Sequence, residues 1–402
     1  MRCCGIVDAV SFLWSPSKPA NPDPATQPPQ PNTIGSHPVH HGGMEALIRS
    51  RPVSAQNNVP QSDDVTAMQN LIRGMAVSRM IGVVCKAKLP NALEDGEERP
   101  IPEIAQQLNV DAGVLRRLCR TLSSFGIFTV DEQDRIRHNN RSLLLREDRQ
   151  PSLHWTARFW SLDGPSEAWN QLDHALTTGE EGFEHAHGES FFSYMNANPE
   201  QAEVYRQYMA SGYPKRHEDI ASAIKLDEQD RVVDVGGGTG ALIHAILDKH
   251  PTVQGMVYDQ PEVIGSITDQ AEGCHLVAGS FFESVPKGGD VYILSYILHD
   301  WPDDKALNIL RSCRAAMQEG ARLLIVERLL EADPAKCDPL DLLLDMNMLV
   351  LHKGQERTHD EFNRLMAESG FSPIRTVLKQ PTFSIFEASP VDPDENREET
   401  AG

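Results

Sequence analysis

His299 follows the apolar run DVYILSYIL and precedes Asp300, Trp301 and Pro302 in SYILHDWPDD, residues 295–304. Imidazole is the side chain best suited to accept a proton near neutral pH. Two carboxylates share its setting. Glu327 ends the apolar run LLIVE, and Glu356 lies in GQERTHDEF just before a helical pattern. Carboxylates that reach one sheet edge from different strands orient an imidazole and favour its protonated form. Such a trio suits removal of a proton from a weak acid such as a hydroxyl. The plain alternative is a structural histidine at a strand end.

A second constellation is VVDVGGGTGALIHAIL, residues 232–247. An apolar strand runs into Gly236, Gly237, Gly238 and Gly240, and a helix follows. Glycines there let a ligand approach the backbone, and the helix N-terminus offers unpaired N–H groups. Gly236, Gly238 and Ala241 also satisfy the relaxed G-x-G-x-x-G/A pattern of dinucleotide sites, so a NAD-dependent oxidoreductase is one reading. Asp234 opposes it. A carboxylate before the glycines repels a pyrophosphate but attracts a cationic ligand such as S-adenosylmethionine. Asp259 ends the next strand, 19 residues after Gly240, where a carboxylate holds ribose hydroxyls. Its plain alternative is a helix N-cap before Pro261, as that of the glycines is a tight turn.

These groups need a frame. RVVDV, VQGMVYD, CHLVAG, DVYILS and ARLLIVE read as strands, with helices around 241–249, 261–271, 303–318, 339–351 and 358–369. That alternation predicts an α/β fold with a parallel sheet over 230–388, closed by a strand pair, IRTVLK and TFSIFEAS. Residues 151–229 read as helices forming a linker and substrate-pocket region, with Trp155, Phe159, Trp160 and Trp169 on core or pocket faces. Residues 61–150 read as three helices and a hairpin, the order of a winged helix, with Asp111 capping one helix and Gly126 ending it. Its functional reading is DNA binding through Arg116, Arg117 and Arg120; the favoured one is a packing or dimerisation module. Leu71, Ile72, Met75, Met80, Ile81, Val83 and Val84 are more apolar side chains than so small a unit can bury.

The 402 residues carry 37 basic against 58 acidic side chains, a net charge of −21, which opposes nucleic acid as partner. Seven widely spaced cysteines form no CxxC pair or zinc-like cluster, so no metal site is expected and reduced, cytoplasmic thiols are. No apolar run approaches the roughly 20 residues of a membrane span. Residues 1–60 form a Pro-rich tail expected to be disordered, with Cys3 and Cys4 weak acylation candidates and His37, His40 and His41 read as solvated; residues 389–402 form an acidic tail.

Together the pieces VDVGGGTG, YDQP, GSFFESVP, LHDWPDD, LLIVERLL and GQERTHDEF resemble, in order and spacing, the winged-helix class of S-adenosylmethionine-dependent O-methyltransferases. The likeness spans residues 64–388, in pattern only over the winged helix. It implies a Rossmann-like seven-stranded sheet behind a helical dimerisation domain, a homodimer, and S-adenosylmethionine as cofactor. It casts His299 as general base flanked by Glu327 and Glu356, and Gly236, Gly237 and Gly238 as the cradle of the methionine part, with Asp234 just before them as a further cofactor-binding residue. Asp259 is then the ribose ligand. Ser280 and Phe281 occupy the adenine pair, usually Asp-Met in plant members. Ser295 stands where plant members often have Lys. Asp300 and Trp301 adjoin the cofactor, and Met209 sits on the substrate wall. The substrate implied is a small molecule with a phenolic hydroxyl, a secondary metabolite. A second reading keeps fold and cofactor but turns them to hydroxylation or decarboxylation; the intact His299, Glu327 and Glu356 argue against it.

Overall fold

A computed structural model describes residues 62–211 and 215–391. The Pro-rich tail, with its cysteines and histidines, and all but the first residues of the acidic tail lie outside that range. The described chain falls into two compact units that divide between Ser161 and Leu162.

The first unit holds helices Ser62–Ile72, Gly74–Lys86, Ile101–Leu108 and Ala112–Ser124 with a small sheet of β1 (Glu98–Pro100), β2 (Thr129–Val130) and β3 (Arg135–Arg137), ordered β1-β3-β2. The expected hairpin is β2–β3; β1 is an addition the pattern did not reveal. Asp111 caps its helix by accepting from the Val114 amide at 2.7 Å, and Gly126 reverses the chain at φ +74°. The core gathers Ile101, Ile104, Leu115, Cys119, Leu122 and Ile136. Val84 is buried there and Met80 and Ile81 pack against it, so the unburied stripe is narrower than the sequence implied. Leu71, Ile72, Met75 and Val83 remain exposed, joined by Val65 and Met68. Arg116 and Arg120 both pair with Asp134, at 2.6 and 2.7 Å. Their charges pin the helix Ala112–Ser124 to the hairpin.

The second unit is built on a seven-stranded sheet. β4 (Arg231–Val235), β5 (Gln254–Asp259), β6 (Cys274–Ala278), β7 (Val291–Ser295) and β8 (Arg322–Glu327) run parallel. After the short β9 (Leu329–Leu330) and β10 (Arg357–Thr358), β11 (Arg375–Lys379) and β12 (Ser384–Ala388) complete it in the order β11-β12-β8-β7-β4-β5-β6, with β12 antiparallel to both neighbours. The central strands are apolar on both faces because helices cover both. Val233, Tyr292, Leu294, Leu323 and Ile325 meet helices Asp303–Ala316 and His359–Ser369. The alternate residues Val232, Val257, Ile293 and Leu324 meet Ala241–Lys249 and Arg216–Ala223. Truncating a fully buried side chain there, Ile246→Ala for instance, costs about 2–5 kcal/mol.

One expected helix is shorter than read. Residues 261–271 are helical only over Pro261–Ile264, since Gly265 and the Ser, Thr and Asp after it favour turns. Among the described residues no helix is long and apolar enough to cross a membrane.

Candidate active site

At the carboxyl edge of the sheet the crossing from β4 to its helix is made by three glycines of positive φ: Gly236 at +75°, Gly238 at +56° and Gly240 at +80°. Side chains other than glycine rarely adopt that backbone. The Gly236 and Gly237 amides both donate to the Tyr258 carbonyl, at 2.8 and 3.2 Å, which ties the turn to β5. The Gly238 amide donates to Asp259 Oδ2 at 2.8 Å, and Asp259 Oδ1 accepts from the Gln260 amide at 2.7 Å. Asp259 thus faces the glycine turn, and Gln260 holds the N-cap position before Pro261. The space beside the turn is tight: a Cβ on Gly236 would come within 2.5 Å of Ile297 Cδ1.

The turn borders a cavity of about 650 Å³. Of the residues singled out in the sequence, Gly236, Asp259, Phe281, Asp300, Trp301 and Met209 line it. Phe281, Phe282 and Trp301 form an edge-to-face cluster, with Phe282 4.8 Å from both rings. Other expected contacts stand back from the cavity wall. Asp234 is buried under the turn, its Oδ2 2.9 Å from where a Gly237 Cβ would stand. Ser295 is buried at the end of β7. The Ser280 hydroxyl accepts from the Phe282 amide at 3.3 Å. Trp155, Phe159, Trp160 and Trp169 do not line the cavity either; Trp169 donates its indole N–H to Asn347 Oδ1 at 3.0 Å.

His299 occupies a single tight turn, Leu298–Asp300, directly beyond β7, and is buried. Glu327 builds that turn: its Oε1 accepts from the amides of Ile297, Leu298 and His299 at 3.0, 2.8 and 3.4 Å. Its Oε2 lies 3.5 Å from His299 Nδ1, and Glu356 Oε1 lies 3.0 Å from the same nitrogen. Two carboxylates on one nitrogen fix the tautomer, so Nδ1–H donates to Glu356. Nε2 is buried without a hydrogen-bond partner, 3.6 Å from Asp300 Oδ1. Burial alone would lower the imidazole pKa, but Glu327, Glu356 and Asp300 outweigh it and raise it to about 10. Burial raises Glu327 to about 7 against the opposing pull of His299. The donor atoms of the trio lie within 4.8 Å of one another, and both carboxylates address the nitrogen that bears the hydrogen, an arrangement built around a proton.

The parallel pairing of β9 with β10, which sets Arg357 against Leu329, brings the two glutamates to one edge. Behind it lies a support that sequence reasoning missed. The Arg357 guanidinium, fully buried, donates to the carbonyls of Leu298 and Trp301, each at 2.8 Å, and to Asp303 Oδ1 at 2.9–3.0 Å. The Gln355 amide donates to the His299 carbonyl at 2.8 Å. The strap sits so close that a Cβ on Gly354 would stand 2.1 Å from that carbonyl. Its one visible signal was an arginine beside Glu356.

Residues 169–372 match the family described as the O-methyltransferase domain, and residues 69–143 match the O-methyltransferase dimerisation domain. A phenazine O-methyltransferase, PhzM, from Lysobacter antibioticus is 36% identical over 329 residues, 80% of this chain and 95% of its own. The structure of the mitomycin 7-O-methyltransferase MmcR superposes with a TM-score of 0.76 at 30% identity, over 81% of this chain and 98% of that one. An O-methyltransferase from neocarzinostatin biosynthesis, NcsB1, solved with S-adenosylmethionine and 2-hydroxy-5-methyl naphthoic acid, superposes with a TM-score of 0.67 at 27% identity over 79% and 96%. The chain therefore belongs to the S-adenosylmethionine-dependent O-methyltransferases, with a dimerisation domain ahead of an α/β catalytic domain. S-adenosylmethionine is its cofactor, and its relatives belong to the biosynthesis of secondary metabolites.

Proposed function

We propose that the chain methylates a hydroxyl on an aromatic secondary metabolite, with His299 as general base and a homodimer as the working form. The observation that carries this reading is His299 Nε2, a buried imidazole nitrogen with no partner of its own, next to cavity-lining Asp300. The residues at the glycine turn fit the cofactor. Gly236 lines the cavity with bare backbone and Gly237 and Gly238 continue its turn, Asp259 offers its carboxylate to ribose hydroxyls, and Phe281 presents a ring to adenine. Asp234, behind the turn, adds negative charge toward a cationic ligand. Ser280, Ser295, Asp300 and Trp301 complete the proposed cofactor shell, and Met209 the substrate wall.

When bound, S-adenosylmethionine supplies a methyl group on positively charged sulfur. The acceptor hydroxyl yields its proton to His299 Nε2. The other hydrogen stays on Nδ1, donated to Glu356, and Glu327 and Glu356 balance the imidazolium charge. With the imidazole raised to about 10, its proton affinity meets that of a phenol, about 10, so the transfer is nearly even. The aromatic acceptor is favoured by the naphthoic acid of NcsB1. The DNA-binding reading is disfavoured by the pairing of Arg116 and Arg120 with Asp134. The test is labelled methyl transfer from S-adenosylmethionine to a panel of phenolic compounds, with the His299→Ala variant alongside. Equal transfer by both proteins would remove His299 from its role. Oxygenated or decarboxylated products without methyl transfer would establish the second reading.

A further inference from the structure

A second imidazole near His299 has no task in the reaction above. His352 ends the helix Pro339–His352. Its ring lies nearly parallel over Phe192, at 5.1 Å and 21°, and meets Phe191 edge to face at 4.9 Å. Phe192 lines the 650 Å³ cavity, as Met209 and Trp301 do. Burial first, and then the charge on His299, press the His352 pKa down to about 3, so the ring sits deep and within electrostatic reach of the base. It nevertheless keeps accessible surface, and among the described residues neither ring nitrogen has a hydrogen-bond partner. Through Phe192 the ring adjoins the aromatic wall of the cavity.

A neutral imidazole carries one N–H donor and one acceptor. Its charge state is fixed, so it offers both at any working pH. Stacking on Phe192 holds the ring in one plane and points its nitrogens away from that face. An apolar side chain would cover Phe192 equally well, and the imidazole adds only its two polar atoms.

We propose that His352 determines substrate specificity by hydrogen-bonding a second polar substituent of the acceptor ring. The preferred acceptors are then aromatic hydroxyl compounds with a further hydroxyl, carbonyl or amino group. The inference rests on the reading of the cavity as an aromatic acceptor site.

The test uses the full chain saturated with S-adenosylhomocysteine and two probes, 2-naphthol and 2,3-dihydroxynaphthalene, with binding measured by calorimetry. Wild type should bind the diol about tenfold more tightly, the usual scale for one added hydrogen bond. His352→Phe keeps the stacking and should erase that preference by weakening the diol alone, with cofactor affinity unchanged. His352→Gln, which keeps a donor and an acceptor, should retain part of it. A wild type that binds both probes equally, or a diol preference that survives in His352→Phe, overturns the proposal. Failure of wild type to bind either probe overturns the aromatic-acceptor reading and this inference with it. Discrimination by wild type, lost in His352→Phe, without methyl transfer to either probe would uphold the role of His352 and count against the proposed reaction.

Discussion

At the scale of single residues, the proposed reaction turns on the proton held by His299. The groups that face it are Glu327, Glu356 and Asp300, with His352 also in electrostatic reach. With its pKa raised from 6.5 to about 10, the free enzyme carries an imidazolium near neutral pH, and the productive state has one proton fewer. We expect kcat/KM to climb about tenfold per pH unit below pH 10. A flat profile between pH 7 and 9 would contradict this. Glu327→Gln removes one negative neighbour, so the rise should begin at lower pH. His299→Ala should cut kcat by roughly 10²–10⁴-fold with cofactor affinity little changed, and adding Glu327→Gln or Glu356→Gln to it should cost little more, since the three act as one unit. Stability follows the same sign. The raised proton affinity of His299 contributes fully below about pH 6.5, and that contribution is lost as pH rises through about 10. The gap in melting temperature between wild type and His299→Asn should therefore narrow over that interval.

At the scale of elements, the proposed base is only as well placed as the turn Leu298–Asp300, and that turn is held by the strap 354–357. Gly354→Ala puts a methyl where the His299 carbonyl stands, 2.1 Å away, so strap or turn must move. The expected result is a kcat loss of about tenfold or more, the scale of a small misplacement, with cofactor affinity nearly intact; the check is turnover and calorimetry on one preparation. A Gly354→Ala protein with full turnover would detach the strap from the chemistry. The same elements show what a sequence reveals. His299 and Glu327 were legible because one follows an apolar strand and the other closes one, and a strand's end in a parallel sheet is a known edge. Helix Ala241–Lys249 was legible from its glycine turn and its apolar spacing. Arg357 was not, because its partners are the carbonyls of Leu298 and Trp301, which leave no pattern in residue type. Phe192 and His352 escaped notice for a related reason: they meet only when two helices far apart in sequence pack together. The break at Arg73, between helices Ser62–Ile72 and Gly74–Lys86, was hidden because apolar residues continue at helical spacing across it.

At the scale of the whole molecule, the surface sets a contrast. A chain of net charge −21 is repelled by its own copies, yet it displays Val65, Met68, Leu71, Ile72 and Met75 along its first two described helices, Ile72 at 73% and Met75 at 77% exposure. Water-facing side chains of that size and continuity are costly unless something covers them. The stripe overlaps the start of residues 69–143, which match a dimerisation domain, so the cover we expect is the same stripe of a second copy. A two-fold contact repeats every change on both sides. Ile72→Glu with Met75→Glu would thus bring four carboxylates into one apolar interface, each of them costly to desolvate, on top of the existing negative charge. Both residues are exposed in the single chain, so the fold itself should lose little. Sedimentation at micromolar concentration should find wild type as a dimer and the double variant as a monomer, with the same circular dichroism and a similar melting temperature. A monomeric wild type would leave the stripe unexplained by self-association, and a double variant that stays dimeric would move the interface to another face.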